Sequence, residues 1–262
     1  MIKLAKIKND KYYTPPELAK YCVEKTKEII GEENITEYIE PSAGAGVFLD
    51  YLDKPYIAYD IEPEDERIIK QDYLTVDLDY KMGRCIIGNP PFGRANCYLK
   101  KFYKKCVGIC DYISFIMPIS QYKNNYELYD YDLIYTEDLG IRSYSGIEKH
   151  CCLNIYIKPK KTKNKPRNNF RDVEIIGWRK AKSTDCDFYI CCYGSSIGKF
   201  VSKNTNLVNI NGIIIHNENL KEKIINTFKN ADWCKEYSMT STPNLLQWQI
   251  YKYLKEQIPA LQ

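Results

Sequence analysis

Histidine is almost missing from this chain: His150 and His216 are the only two in 262 residues. The eleven cysteines form no pair of Cys-x-x-Cys sites. The nearest arrangements are Cys106 with Cys110 and the doublets Cys151-Cys152 and Cys191-Cys192, with only the two histidines to join them. That spacing argues against a zinc centre, and the expected metal is none. No run approaches the ~18 consecutive apolar residues of a membrane helix. The opening Met1-Ile2-Lys3-Leu4-Ala5-Lys6-Ile7-Lys8 spaces its charges too closely for a secretion signal. With an odd cysteine count, this sets the expectation of a reducing cytoplasm, that of the host cell if a virus or phage encodes the chain. Internal repeats and low-complexity segments are absent, and no stretch completes a Gly-x-Gly-x-x-Gly pattern.

What is present suffices for a large core, since 44% of residues are hydrophobic. A net charge of +4 permits a nucleic-acid partner without requiring one. The most informative stretch is Ile86-Ile87-Gly88-Asn89-Pro90-Pro91-Phe92-Gly93. A short apolar run reads as a buried strand, and the prolines stop it. The loop that follows offers the Asn89 amide oxygen and the Pro90 carbonyl as acceptors, beside the flat face of Phe92. Two acceptors next to a ring suit an exocyclic amino group on a planar partner: adenine, cytosine or a primary amide. A strand-ending Pro-Pro turn with a packed Phe is the other reading of these four residues alone.

Upstream, Tyr12-Tyr13-Thr14-Pro15-Pro16-Glu17 reads as a helix start. Thr14 is the expected cap, with Pro15 in the first turn and Glu17 completing a capping box. Leu18, Tyr21, Cys22, Thr26, Ile29 and Ile30 follow at helical spacing up to Gly31. Glu37 to Glu40 reads as a strand, Pro41-Ser42-Ala43-Gly44-Ala45-Gly46 as a glycine turn, and Val47 to Asp53 as a helix. That order makes a nucleotide-binding hinge or a plain strand-to-helix turn. Tyr56 to Asp60 is a second strand ending in an acid, sixteen residues after Gly44. An acid there commonly accepts from ribose hydroxyls. Ile68 to Leu74 gives a third strand, with Asp72 at its end. After the Asn-Pro-Pro-Phe loop, Asn96 to Val107 is helical with Leu99, Phe102, Tyr103, Cys106 and Val107 inward. Its lysines, Lys100, Lys101, Lys104 and Lys105, make a solvated face. Strands follow at Asp111 to Pro118, Leu133 to Thr136 and Cys151 to Ile157, the last alternating enough for an edge. Alternating strands and helices predict a doubly wound α/β sheet.

Taken together, these segments resemble S-adenosylmethionine-dependent DNA N6-adenine methyltransferases of the group with cofactor motifs first and target recognition last. Asn-Pro-Pro-Phe is similar to their motif IV, Tyr13-Thr14-Pro15-Pro16 to motif X and Glu40 to Gly46 to motif I. Asp60-Ile61-Glu62-Pro63 resembles motif II, and Asp72-Tyr73 motif III. The resemblance covers roughly residues 12 to 157, more than half the chain. It implies a Rossmann-like seven-stranded sheet closed by an antiparallel hairpin. It also implies S-adenosylmethionine as cofactor, held by Tyr13, Thr14, Glu40, Ser42, Gly44, Gly46, Asp60, Ile61, Asp72, Tyr73 and Asn89. Asn89, Pro90, Pro91 and Phe92 become the catalytic loop. Phe92 would stack on a flipped adenine. The family places an aromatic just before the seventh strand, and Tyr144 is the only one between Tyr135 and Tyr156. It is either the second stacking face or a packing residue of the hairpin.

From Lys158 to Arg171 the chain carries seven basic residues and no acid. This tract is the expected boundary between a catalytic domain (1–157) and a smaller α+β region (172–262) of target-recognition type. It serves either as a solvated linker or as an arm whose Lys160 and Lys161 contact phosphates. Strands are expected at Val173 to Trp178, Phe188 to Cys192 and Ile213 to Ile215, and helices at Asn219 to Phe228 and Leu245 to Leu254. The turns Tyr193-Gly194-Ser195-Ser196 and Lys203-Asn204-Thr205-Asn206 either read base edges or are simply turns. The implied partner is double-stranded DNA, with a cognate restriction endonuclease in a restriction-modification setting. RNA adenine methylation, protein-glutamine methylation and a catalytically silent nucleic-acid-binding subunit are the rival readings.

Overall fold

Seven short runs pair into one sheet. They are β1 (Glu37–Glu40), β2 (Tyr56–Asp60), β3 (Ile69–Lys70), β4 (Arg84–Gly88), β5 (Tyr112–Pro118), β6 (Asp132–Tyr144) and β7 (Ile147–Ile157). The computed structural model describes residues 12–166, 170–233 and 244–262. The chain divides into two units, residues 1–164 and 165–262, and the division falls inside the basic tract.

In the first unit the strand order is β3-β2-β1-β4-β5-β7-β6. β2, β1, β4 and β5 run parallel, as does β3 beside β2, while β7 runs antiparallel to both β5 and β6. This is a Rossmann-like, doubly wound sheet closed by an antiparallel hairpin. Every residue of β1 and β4 is buried, as strands covered on both faces require. The burial extends to charge. Glu37 sits at the start of β1, 7% exposed, and accepts from Arg84 Nε at 2.6 Å and from Lys81.

Several sequence expectations shift. The helix α1 is Pro16–Ile30, with Pro15 in the capping position and no side-chain cap. Thr14 therefore does not cap it; the hydroxyl is turned inward toward Asn89. The helix expected over Val47 to Asp53 shrinks to one 3-10 turn at Leu49–Tyr51. Only sixteen residues separate Gly44 from Asp60, which leaves no room for several helical turns. The third strand keeps two residues, and Asp72 instead caps a 3-10 turn through Leu74 N–H at 2.9 Å. β7 is not an edge: it lies between β5 and β6 and is buried from Cys151 to Tyr156. The helix α2 (Cys97–Cys106) follows the Asn-Pro-Pro-Phe loop and buries Leu99, Phe102, Tyr103 and Cys106, as its spacing predicts. Two of its outward lysines are paired, Lys100 with Glu127 and Lys104 with Asp130.

The second unit is an antiparallel sheet in the order β10-β9-β11-β8. Its strands are β8 (Val173–Ile176), β9 (Phe188–Cys191), β10 (Phe200–Val201) and β11 (Ile210–Ile215). Among the described residues its helices of four or more residues are α3 (Trp178–Ala181), α4 (Glu218–Asn230) and α5 (Gln247–Gln257). β10 has no counterpart among the sequence expectations, and Trp178 opens a helix rather than ending a strand. Phe228, Trp233, Trp248, Ile250 and Leu254 are buried in this unit. Among the described residues no helix is long and apolar enough to cross a membrane.

Candidate active site

Parallel strands end on one side, and there the loops after β1, β2 and β4 meet. After β1, the backbone of the glycine turn folds tightly against β2. Ala43 N–H donates to the Tyr59 carbonyl at 2.9 Å, and Gly44 N–H to Asp60 Oδ2 at 2.8 Å. Gly44 takes φ +55°, in the left-handed region that a side chain disfavours. Asp60 Oδ1 accepts a second backbone N–H, from Glu62 at 2.8 Å. The carboxylate thus ties the end of β2 to the glycine turn, with lone pairs left over for a ligand.

A cavity of about 860 Å³ opens above these strand ends. Ten of the eleven residues expected to hold the cofactor line it: Tyr13, Thr14, Glu40, Ser42, Gly44, Asp60, Ile61, Asp72, Tyr73 and Asn89. Gly46 stands behind the turn, where a Cβ would meet Asp65 and Arg67. Of the catalytic loop, Asn89 and Pro91 face the cavity. Pro90 is buried, and Phe92 is half-buried against the main core. Tyr144 is elsewhere. It is 1% exposed and packs in the cluster that joins α1 to the β6–β7 hairpin, with Leu18, Cys22 and Cys151. A ring so placed is core and presents no face to a base. Lys160 and Lys161 lie on the surface of the basic tract. Its neighbours Lys158 and Lys163 are engaged, over the Tyr80 ring and with Asp132.

Sequence reasoning missed part of the wall. Tyr98 and Phe102, four apart on α2, both line the cavity, and Phe102 stacks on Tyr73 with centroids 5.8 Å apart. Their spacing was a signal, since residues four apart share a helix face. Glu64 and Gln71 also line it and come from loops that show no pattern.

Two polar side chains on the lining are left over. Glu40 is 2% exposed, and its Oε2 has no hydrogen-bond partner among the described residues; nor has Ser42 Oγ. Burial, and then the charge of Asp60, pushes the Glu40 carboxyl up to about 8. A buried acceptor without a partner is unfavourable unless a ligand supplies a donor.

Asn89 is oriented. Its Nδ2 donates to Thr14 Oγ1 at 3.1 Å and to the Tyr12 carbonyl at 3.4 Å. A carbonyl can only accept, so the amino half of the amide must face residues 12–14 and Oδ1 faces away from them. Residues 12–14 are themselves pinned. Tyr13 N–H donates to Ser145 Oγ at 2.9 Å, Tyr13 OH to Glu64, and Lys149 Nζ lies 4.9 Å from the centre of the Tyr12 ring. The backbone after the loop is tightly wound. Gly93, Ala95 and Asn96 have φ of +67°, +54° and +60°, and a Cβ on Gly93 would come within 2.5 Å of Tyr98. The Phe92 carbonyl takes the N–H of Tyr98 and Leu99, which locks the loop to the start of α2.

No family model matches this chain, and no curated protein matches it. Solved structures do resemble it. One is a provisionally assigned RNA methyltransferase from Pyrococcus horikoshii, 16% identical, covering 60% of this chain and 90% of its own, at a TM-score of 0.47. A Thermoplasma acidophilum protein is 18% identical over 60% of this chain and 93% of its own, at 0.45. The N-methyltransferase NodS from Bradyrhizobium japonicum, with S-adenosyl-homocysteine, is 10% identical over 56% of this chain and 89% of its own, at 0.42. These likenesses are too remote to bear on substrate.

Proposed function

We propose that the chain is an S-adenosylmethionine-dependent N6-adenine methyltransferase acting on DNA. The observation that carries this reading is the orientation of Asn89, whose amide oxygen is turned away from the residues that hold its amino group. The cavity residues fit the cofactor. Glu40 and Ser42 supply unpartnered acceptors for a cationic, donor-rich amino-acid end, and Asp60 keeps lone pairs for hydroxyls. Ile61, Tyr73 and Pro91 offer apolar faces for a flat base, with Asp72 beside them as an acceptor for its amino group. When bound, S-adenosylmethionine supplies an electrophilic methyl group on a positive sulfonium.

The chain's own part is positioning. The N6 lone pair of adenine is delocalised into the ring and is a poor nucleophile. Asn89 Oδ1 and the Pro90 carbonyl accept its two N–H bonds, favour a pyramidal nitrogen and aim its lone pair at the methyl carbon. No strong base is needed: the methylated N6 would carry the positive charge, be strongly acidic, and pass its extra proton to solvent past the accepting oxygens of Asn89 and Pro90. The contribution is alignment and electrostatics. A base within a duplex must flip to reach the loop, and the exposed part of Phe92 gives it one face.

RNA is the runner-up substrate, since the same loop serves adenine in either polymer. The test is methyl transfer from labelled S-adenosylmethionine to plasmid DNA from a methylation-deficient host and, in parallel, to unmodified RNA. N6-methyladenine is then sought in the digests. Label in DNA adenine supports the proposal, label in RNA adenine alone moves it to RNA, and label in neither overturns it.

A further inference from the structure

The second unit contains Trp233 and Trp248, 3% and 5% exposed, and Trp178, 54% exposed. A fold that buries two indoles and leaves the third in water calls for an explanation, because an exposed indole forgoes a large apolar gain. Trp178 is not on a loose end. It opens α3, where Lys180 N–H and Ala181 N–H donate to the Gly177 carbonyl at 2.9 and 3.0 Å. Ala181 anchors that turn in a cluster with Tyr189 and Ile210. The indole is thus presented from a fixed support.

Its surroundings are cationic. The Arg179 guanidinium lies 5.4 Å from the ring centre, and Lys180 and Lys182 follow, all exposed. No acid occurs from Ile175 to Thr184. Among the described residues none of the three cations meets a carboxylate; Lys182 donates to the Thr205 carbonyl at 2.8 Å. A protein partner would match an exposed indole with an apolar rim, whereas this indole has Arg179 beside it and two exposed lysines close in sequence. An exposed aromatic face with a guanidinium beside it, on a stretch whose cations meet no carboxylate among the described residues, complements a polymer with flat bases and an anionic backbone.

We propose that Trp178, Arg179, Lys180 and Lys182 form a binding site for single-stranded nucleic acid. Trp178 stacks on an unpaired base, and the cations meet its flanking phosphates. The face of a base is open to an indole only when the base has left its stack, which selects single strands over intact duplex. The choice of polymer rests on the reading of the first unit as a nucleic-acid methyltransferase; the exposed indole and its charges do not.

The test needs no cofactor. Because the other two tryptophans are buried, Trp178 dominates iodide-quenchable emission. The full chain is titrated with a single-stranded oligodeoxythymidine of about 16 nucleotides, within the usual range of such sites. Binding should quench the emission and protect it from iodide. Trp178→Ala should weaken binding about ten-fold, within the range that stacking supplies. Trp178→Phe should stay within about three-fold of wild type. The double variant Arg179→Gln, Lys180→Gln should lower the salt slope by about 1.4 units, roughly 0.7 per lost phosphate contact on a single strand. Circular dichroism and S-adenosylmethionine calorimetry on each variant check that the two units remain folded. Unchanged iodide access, or Trp178→Ala binding like wild type, overturns the site. Methyl transfer with no role for Trp178 would sink this proposal and leave the proposed function standing. Protection of Trp178 in a chain that transfers no methyl group would do the reverse.

Discussion

β1 carries one acid at each end, and the two have opposite fates. Glu37, at the start, is held by Arg84 and Lys81. Burial alone would raise its carboxyl, but those two hydrogen bonds outweigh it and keep the group below its ordinary value. Glu40, three residues on and more deeply buried, has an oxygen with no partner, and its carboxyl is pushed up to about 8. The N-terminal edge of the sheet is self-satisfied. The C-terminal edge leaves its acceptors open, in the place where parallel α/β sheets keep their ligands. Charge satisfied within the chain marks structure, and charge left open marks the site.

The largest expected effect lies at the satisfied edge. Glu37→Ala leaves Arg84 buried without its carboxylate and should lower stability by roughly 3 to 5 kcal/mol. Urea denaturation followed by circular dichroism measures it. A loss below about 1 kcal/mol would show that the pair is replaceable by water.

Next comes the open edge. Asn89→Ala should reduce turnover by about 2 to 4 kcal/mol of transition-state stabilisation, in the range of a lost positioned group. Cofactor affinity by calorimetry should stay near wild type, and turnover within a few-fold of it would refute the role of Oδ1.

The acids also separate by pH. A carboxyl raised in the folded state contributes stability below its unfolded value and loses it as pH rises. For Glu40 that decline runs from the ordinary carboxylate range up to about 8. Glu37 is the reverse: its contribution is present above the unfolded value and fades as pH falls through its lowered folded value. Affinity for S-adenosylmethionine, which needs Glu40 ionised, should rise with pH by at most about ten-fold per unit and level off near 8. Glu40→Gln should flatten both curves. A wild-type affinity that stays level between roughly pH 6 and 8 would remove Glu40 from the cofactor site.

How much of this was legible depended on whether a role is local. Short apolar runs ending in Glu40, Asp60 or Gly88 announced their strands, and their alternation with helices announced a doubly wound sheet. Glu40, Asp60 and, just past Gly88, Asn89 line the cavity because parallel strands bring their ends to one side. What failed was set by distant neighbours. β7 looked like an edge because its alternation cannot reveal that β6 folds back outside it. Tyr144 has two readings in the sequence, a second stacking face or a packing residue of the hairpin, and only the length of the hairpin, which puts it in the core with α1, decides for packing. Thr14 had the composition of a cap, but Asn89, seventy-five residues away, claims its hydroxyl. The second unit gave little, because antiparallel strands joined by turns need not gather their loops at one edge.

A smaller effect should come from Asp60→Ala, which removes an acceptor for ribose and the tie to Gly44 N–H and Glu62 N–H. Cofactor affinity should fall by roughly ten-fold or more. An unchanged Kd by calorimetry would place the ribose elsewhere.

The smallest effect should test the support of the open edge. Ser145 lies at the tip of the β6–β7 hairpin with φ +53°, a conformation uncommon for serine. Its Oγ accepts Tyr13 N–H, and residues 12–14 in turn receive the Asn89 amino group. Ser145 is therefore a positioning residue, two hydrogen bonds removed from the reacting atoms. Losing one neutral hydrogen bond is worth about 1 kcal/mol, so Ser145→Ala should lower kcat by roughly five-fold. Ser145→Gly should do the same, because glycine relieves the backbone but offers no acceptor. Ser145→Asn should recover most of the activity, since asparagine tolerates this conformation and carries a side-chain carbonyl. A merely structural role would rank the variants differently: glycine would match or exceed wild type, and stability would track kcat. If kcat follows the acceptor while the melting temperature follows the backbone, the hairpin tip belongs to the site. If both follow the backbone, it does not, and the orientation of Asn89 rests on Thr14 and Tyr12 alone.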